Sequence, residues 1–177
     1  MKGALWGGVI VFLWGTISWM ILPWHGMTIN KFHNEGPLAF LIEQSAPHSG
    51  VYALPYPWIT EGTSKEEIKE EMEQGPLVFA AVRKEGMGNS FKAIVLSLLA
   101  DIIAAFFIMW LLLKTRGLIY AQRVGFITMV GLVVALLGNF PNWNWWGFSN
   151  SYTLVAMLDV VVAWFFASLA MARYTPA

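Results

Sequence analysis

The chain has 177 residues, 57% of them apolar and only 12% charged, with no net charge. That charged share is about half of what a soluble domain carries. The absence of cysteine excludes disulfides, thiol catalysis, zinc–thiolate sites and covalently attached c-type haem, and a neutral chain offers no footprint for nucleic acid.

Four segments are apolar for about the 20 residues a membrane-crossing helix needs: Ala4–Leu22, Ala93–Leu113, Leu118–Gly138 and Ser151–Met171. The expectation is therefore a membrane all-α protein of four transmembrane helices. Helix one fills residues 1–22. A small extracytoplasmic α/β cap occupies 23–92, and helices two to four occupy 93–177. The first segment follows Lys2, as a secretory signal would, but no small-x-small cleavage site follows it, so it is expected to be retained.

Residues 23–92 differ in kind. Nine acids and Pro23, Pro37, Pro47, Pro55, Pro57 and Pro76 fall here. "NEGPLAFLIEQSA" reads as a helix capped by Asn34 with Leu38, Leu41 and Ile42 on one face, and "GVYALPY" as a strand. "TSKEEIKEEMEQ" reads as a helix with a Ser64…Glu67 capping box and only Ile68 and Met72 to bury. "GPLVFAAVRKEG" reads as a second strand. Strand, helix, strand predicts a right-handed crossover with two parallel strands. So small a unit cannot bury enough apolar surface alone, so it is expected to lean on the helices, another copy or another membrane protein.

Lys2, Lys114, Arg116, Arg123 and Arg173 flank the spans on one side, while the Trp-rich outer loop 139–150 carries no Lys or Arg. The positive-inside bias makes the first side cytoplasmic, with both termini inside. Trp24, Trp143, Trp145, Trp146 and Tyr152 are expected in the outer aromatic belt, Tyr120 and Tyr174 in the inner one.

Asp101 and Asp159 interrupt the second and fourth spans, each as the ninth residue, about 12 Å below the outer boundary. Similar sequence follows each ("DIIAAFF", "DVVVAWFF") and Asn-Ser-aromatic precedes each span, the mark of a weak tandem repeat. An intramembrane aspartate costs roughly 2.5–3.5 kcal/mol to insert. Two explanations offset that cost. A protonated Asp can hydrogen-bond a neighbouring helix and fix packing, with Ser97, Thr16, Ser18 and Thr128 as partners. Alternatively, two facing carboxyls can share a proton or a cation, the layout of a relay or coupled carrier. Ala100/Ala104 and Ala156/Ala163/Ala167 flank the two acids as close packing requires.

No histidine falls inside a span, so a bis-histidine haem between helices is not expected. His25 and His33 with Glu35 form a metal candidate, but their spacing fits no known ligand pattern. No Ser–His–Asp set or phosphate loop announces an enzyme. No cofactor is expected beyond bound lipid, and "PNWNWWGF" reads as a rigid interfacial turn or a platform for lipid or quinone.

"WGTISWMILPWH" (Trp14–His25), Asn34–Glu35, "SGVYALP" (Ser49–Pro55) and "PNWNWWGFSNSYT" followed by Asp159 resemble a family of small bacterial four-helix inner-membrane proteins. The resemblance implies a bacterial source and four helices, and brings no activity. Three functional expectations follow. The first is a non-catalytic accessory, assembly or scaffolding component of a membrane complex or homo-oligomer. The second is a proton- or cation-coupled carrier of small solutes, and the third a membrane enzyme acting on lipid or quinone.

Overall fold

The computed structural model describes residues 1–174. Its helices and strands are α1 (Lys2–Met20), α2 (Glu35–Ser45), β1 (Gly50–Leu54), α3 (Lys65–Gln74), β2 (Val78–Val82), α4 (Ser90–Leu112), α5 (Tyr120–Trp146) and α6 (Asn150–Met171). Four of them, α1, α4, α5 and α6, are long and apolar enough to cross a membrane. The described residues divide into two compact units, one of residues 1–30, 89–144 and 148–174, the other of residues 31–88 with 145–147.

In the first unit, α1 runs antiparallel to α4 and α6, and glycines set the distance. A Cβ on Gly8 would lie 2.5 Å from Ile102 Cα, and one on Gly131 2.5 Å from Trp164 Cβ. Small residues bring helix backbones together where lipid supplies no hydrophobic drive. Gly3 and Gly7 meet Met109 and Met171 in the same way. The core gathers there: Ala4, Ala105, Ile108, Met109, Leu112, Ala167 and Met171 are all buried.

Caps define two of these helices. Asn89 Oδ1 accepts from Lys92 N at 3.2 Å, and Ser149 Oγ accepts from Tyr152 N at 3.2 Å. At the basic end, Arg123 donates from Nε to Leu118 O at 2.8 Å, and the Tyr120 hydroxyl donates to Leu169 O at 2.9 Å.

The expected outer loop 139–150 is mostly helix. α5 continues through Pro141 to Trp146. Proline removes one ladder bond, and just before it Asn139 Nδ2 donates to Ala135 O at 2.8 Å. The break comes at Gly147, whose φ of +69° is the left-handed geometry that ends helices. Trp143 Nε1 then donates to Asn150 Oδ1 at 2.7 Å.

The second unit holds a two-stranded sheet, antiparallel rather than parallel, with Gly50 opposite Val82 and Leu54 opposite Val78. A parallel crossover needs a helix that covers the sheet face. α3 has only Ile68 to bury, so the chain returns to the end of β1 it has just left. α2 begins after Asn34, but that side chain makes no cap bond and none of the helix is buried. The apolar face read from Leu38, Leu41 and Ile42 is thus not a core face. Phe79 stacks on Trp146 at 4.3 Å within this unit.

The capping box of α3 is present. Glu67 N donates to Ser64 Oγ at 3.2 Å and Ser64 N donates to Glu67 Oε2 at 2.8 Å. The Ser64 backbone bond, then its side chain, hold the Glu67 carboxyl below its ordinary range. A depressed folded value means the stabilisation is present above the unfolded carboxylate range and is lost as pH falls through the folded one. The protection of the amides at Lys65–Ile68, corrected for intrinsic exchange, is expected to fall on acidification, and in Glu67→Gln to lose that pH dependence.

Candidate functional site

α1 ends at Met20 because Pro23 follows and cannot continue the ladder. The chain then folds back in a tight turn: Met27 N donates to Pro23 O at 3.0 Å, while Thr28 bonds His25 O through both N (3.0 Å) and Oγ1 (2.9 Å). This turn drives His25 inward, leaving it 3% exposed. Residues 23–30 therefore fold with the helices and not with the cap to which the sequence reading assigned them.

His25 Nε2 lies 3.2 Å from Asp159 Oδ2 and 3.0 Å from Ser18 Oγ. Trp24 Nε1 donates to Ser18 Oγ at 2.9 Å, and Trp14 Nε1 donates to Asp159 Oδ1 at 2.6 Å. Trp14 and Ser18 are one helical turn apart and share a face of α1. The Trp19 ring stacks on the imidazole at 3.9 Å and 10°, and Trp24 meets it edge-on at 5.6 Å. The other ring nitrogen, Nδ1, is buried and has no hydrogen-bond partner among the described residues.

Asp159 also borders a cavity of about 380 Å³ between α1, α4, α5 and α6, with Asp101 on its wall and Trp14, Gly15, Val134 and Trp164 among the lining. Asp101 is half-buried. The two aspartates of the sequence thus border one space, but the proposed hydroxyl partners hold neither. Thr16 and Thr128 bond their own helix, at Phe12 O (3.0 Å) and Val124 O (2.9 Å). Ser97 is exposed, and Ser18 serves His25. The Thr16, Thr128 and Ser18 hydroxyls are thus engaged by a carbonyl or a ring and not by the acids.

The metal candidates each have their own surroundings within their own units. His25 is committed to Asp159 and Ser18, His33 is exposed, and Glu35 pairs with Lys31 at 3.8 Å. No group of three metal-ligating side chains occurs among the described residues. Trp24 donates to Ser18 Oγ. Trp143 and Trp145 are exposed, as befits lipid or water, and Tyr152 meets Phe148 at 5.4 Å.

Sequence reading named His25 only as a metal candidate and missed Trp14 and Trp19. The available signal was the spacing Trp14–Ser18 with a proline reversal just after it, which aims a following side chain back at the helix end. Chemically, the Nε2···Oδ2 line holds one proton, on nitrogen beside a carboxylate or on oxygen beside a neutral imidazole. Comparison with protein-family models, with curated proteins and with solved structures gives no match.

Proposed function

We propose that the protein handles protons inside a membrane, as a proton-coupled carrier of small solutes whose exchangeable proton sits on the His25–Asp159 pair. The observation that carries this reading is Asp159 held between Trp14 and His25 while bordering a cavity that Asp101 also borders. A proton arriving at Nδ1 and the transfer of the Nε2 proton to Oδ2 leave a neutral imidazole and a protonated acid. Acid and base are within contact distance, so the transfer from Nε2 to Oδ2 needs no rearrangement of the fold, whereas delivery of a proton to the buried Nδ1 requires a local opening.

Asparagine is nearly the shape of aspartic acid and keeps an acceptor for Trp14 and a donor for His25, but it carries no proton to exchange. In proteoliposomes, Asp159→Asn and Asp101→Asn are each expected to abolish a pH-driven solute flux while the helix content stays native. His25→Gln is expected to slow the flux by about 100-fold, the usual contribution of a positioned acid–base group. Wild-type flux in all three variants would overturn the proposal.

A second reading, an accessory or assembly component, is supported by the second unit. Its buried apolar residues are Ala46 and Ile68, while Phe40, Leu41, Val51 and Trp58 are exposed. Exposed apolar surface of this density marks contact with a partner or lipid. That role is compatible with a bacterial inner-membrane location and an extracytoplasmic placement of the unit.

A further inference from the structure

The inner cavity differs from the rest of the helix packing because its only ionisable lining groups are acids. α4 contributes Asp101 and α6 contributes Asp159; α1 and α5 contribute no charged side chain, and no Lys or Arg lines it. The remaining walls are valine, alanine and glycine with the Trp14 and Trp164 side chains. At about 380 Å³ the space lies at the small end of ligand sites, which begin near 300 Å³.

The lining discriminates among ligand classes. An anion would meet two carboxyls and no cation. A sugar-like solute would find too few polar partners for its hydroxyls, because the Trp14 N–H is already spent on Asp159. A hard metal cation asks for about six oxygens; two carboxyls are present, one of them already engaged by Trp14 and His25. An ion with a delocalised or alkylated positive charge and an apolar body meets both demands, pairing its charge with Asp101 and placing its carbons against the aliphatic and indole walls.

We infer that the cavity binds a small organic ammonium ion, paired with Asp101 and exchanged against the proton held at Asp159. The inference rests on the proton-handling reading above and adds the substrate class to it. Ligand and proton compete for the same two acids, with His25 behind Asp159 as the proton donor on the side away from the cavity. Binding of the cation therefore releases protons.

The test uses the full chain in detergent with benzyltrimethylammonium as probe and benzenesulfonate as its anionic counterpart. Calorimetry in two buffers of different ionisation enthalpy reads affinity and protons released. The expected result is binding of the ammonium ion at pH 8, weaker binding at pH 5, proton release, and no binding of the sulfonate. Asp101→Asn is expected to weaken binding by about tenfold or more, the cost of removing one partner of a desolvated charge pair.

Gly15→Leu supplies a variant that leaves both acids in place. Gly15 lines the cavity and a Cβ there meets no atom within 4 Å, so a larger side chain is expected to occupy that space and abolish binding. Equal binding of the sulfonate, or unchanged affinity in Gly15→Leu or Asp101→Asn, would overturn the assignment. An infrared carboxyl band that titrates in wild type and disappears in Asp159→Asn separates the two readings. If that band is present but the ammonium ion does not bind, the ligand assignment fails alone; if the band never titrates, the proton reading fails with it.

Discussion

Asp159→Ala is expected to destabilise the helical unit by about 1–3 kcal/mol, whereas Asp159→Asn costs less than about 1 kcal/mol. Alanine removes the acceptor for Trp14 Nε1 and one of the two partners of His25 Nε2, which keeps Ser18 Oγ at 3.0 Å. Each buried donor left unpaired costs about 1–3 kcal/mol. Interhelical hydrogen bonds in membranes average nearer 0.6 kcal/mol because the unfolded chain finds other partners, which keeps the total from rising above that range. Asparagine retains both contacts if the His25 proton sits on Nδ1. Denaturant titration in mixed micelles, read by the fluorescence of Trp14 and its neighbours, gives both values. Equal stability of alanine and wild type would mean that the Trp14 and His25 bonds carry no net energy and that the site is not preorganised.

Gly8→Val is expected to have a comparable effect for a different reason. The added Cβ would meet the backbone of Ile102 at 2.5 Å, and backbone cannot rotate aside as the flexible Met171 side chain opposite Gly7 can. α1 and α4 must separate, at a cost of about 1–3 kcal/mol or more for overpacking. The separation also shifts Asp101, which adjoins Ile102 in α4, relative to Trp14. Gly15→Leu, on the same helix but facing open space, is expected to remain as stable as wild type or gain slightly from better helix propensity. Thermal unfolding of the two variants side by side measures the difference; similar destabilisation in both would show that α1 tolerates no bulk anywhere, and the close contact at Gly8 would lose its special status.

The two substitutions separate what α1 does. Its first half is structural, carrying glycines where α4 and α6 come closest. Its second half is chemical, presenting Trp14 and Ser18 to Asp159 and His25. Moving from the tight half to the loose one, the helices leave the space that Asp101 and Asp159 border. A carboxyl facing a cavity remains able to gain and lose a proton or a ligand, which one locked into packing cannot do.

Local chemistry alone determined a good deal of this molecule. Runs of about 20 apolar residues require helices because lipid cannot satisfy open backbone groups, and the structure has four helices of that kind at nearly the expected places. Ser64 and Glu67 form their box because the partners are three residues apart. Asp101 and Asp159 stand out as chemical leads because a carboxyl in an apolar run has a cost to offset. Tertiary structure alone decided the rest. Strand direction followed from whether α3 could cover a sheet, and its single buried isoleucine meant that it could not. The continuation of α5 through Pro141 depended on where Gly147 allowed a break. Above all, His25 and Asp159 are 134 residues apart, and no local periodicity links them. Their meeting required α6 to return beside α1 and Pro23 to turn the chain back at the right height, a coincidence of two packing events that appears only once the helices are assembled.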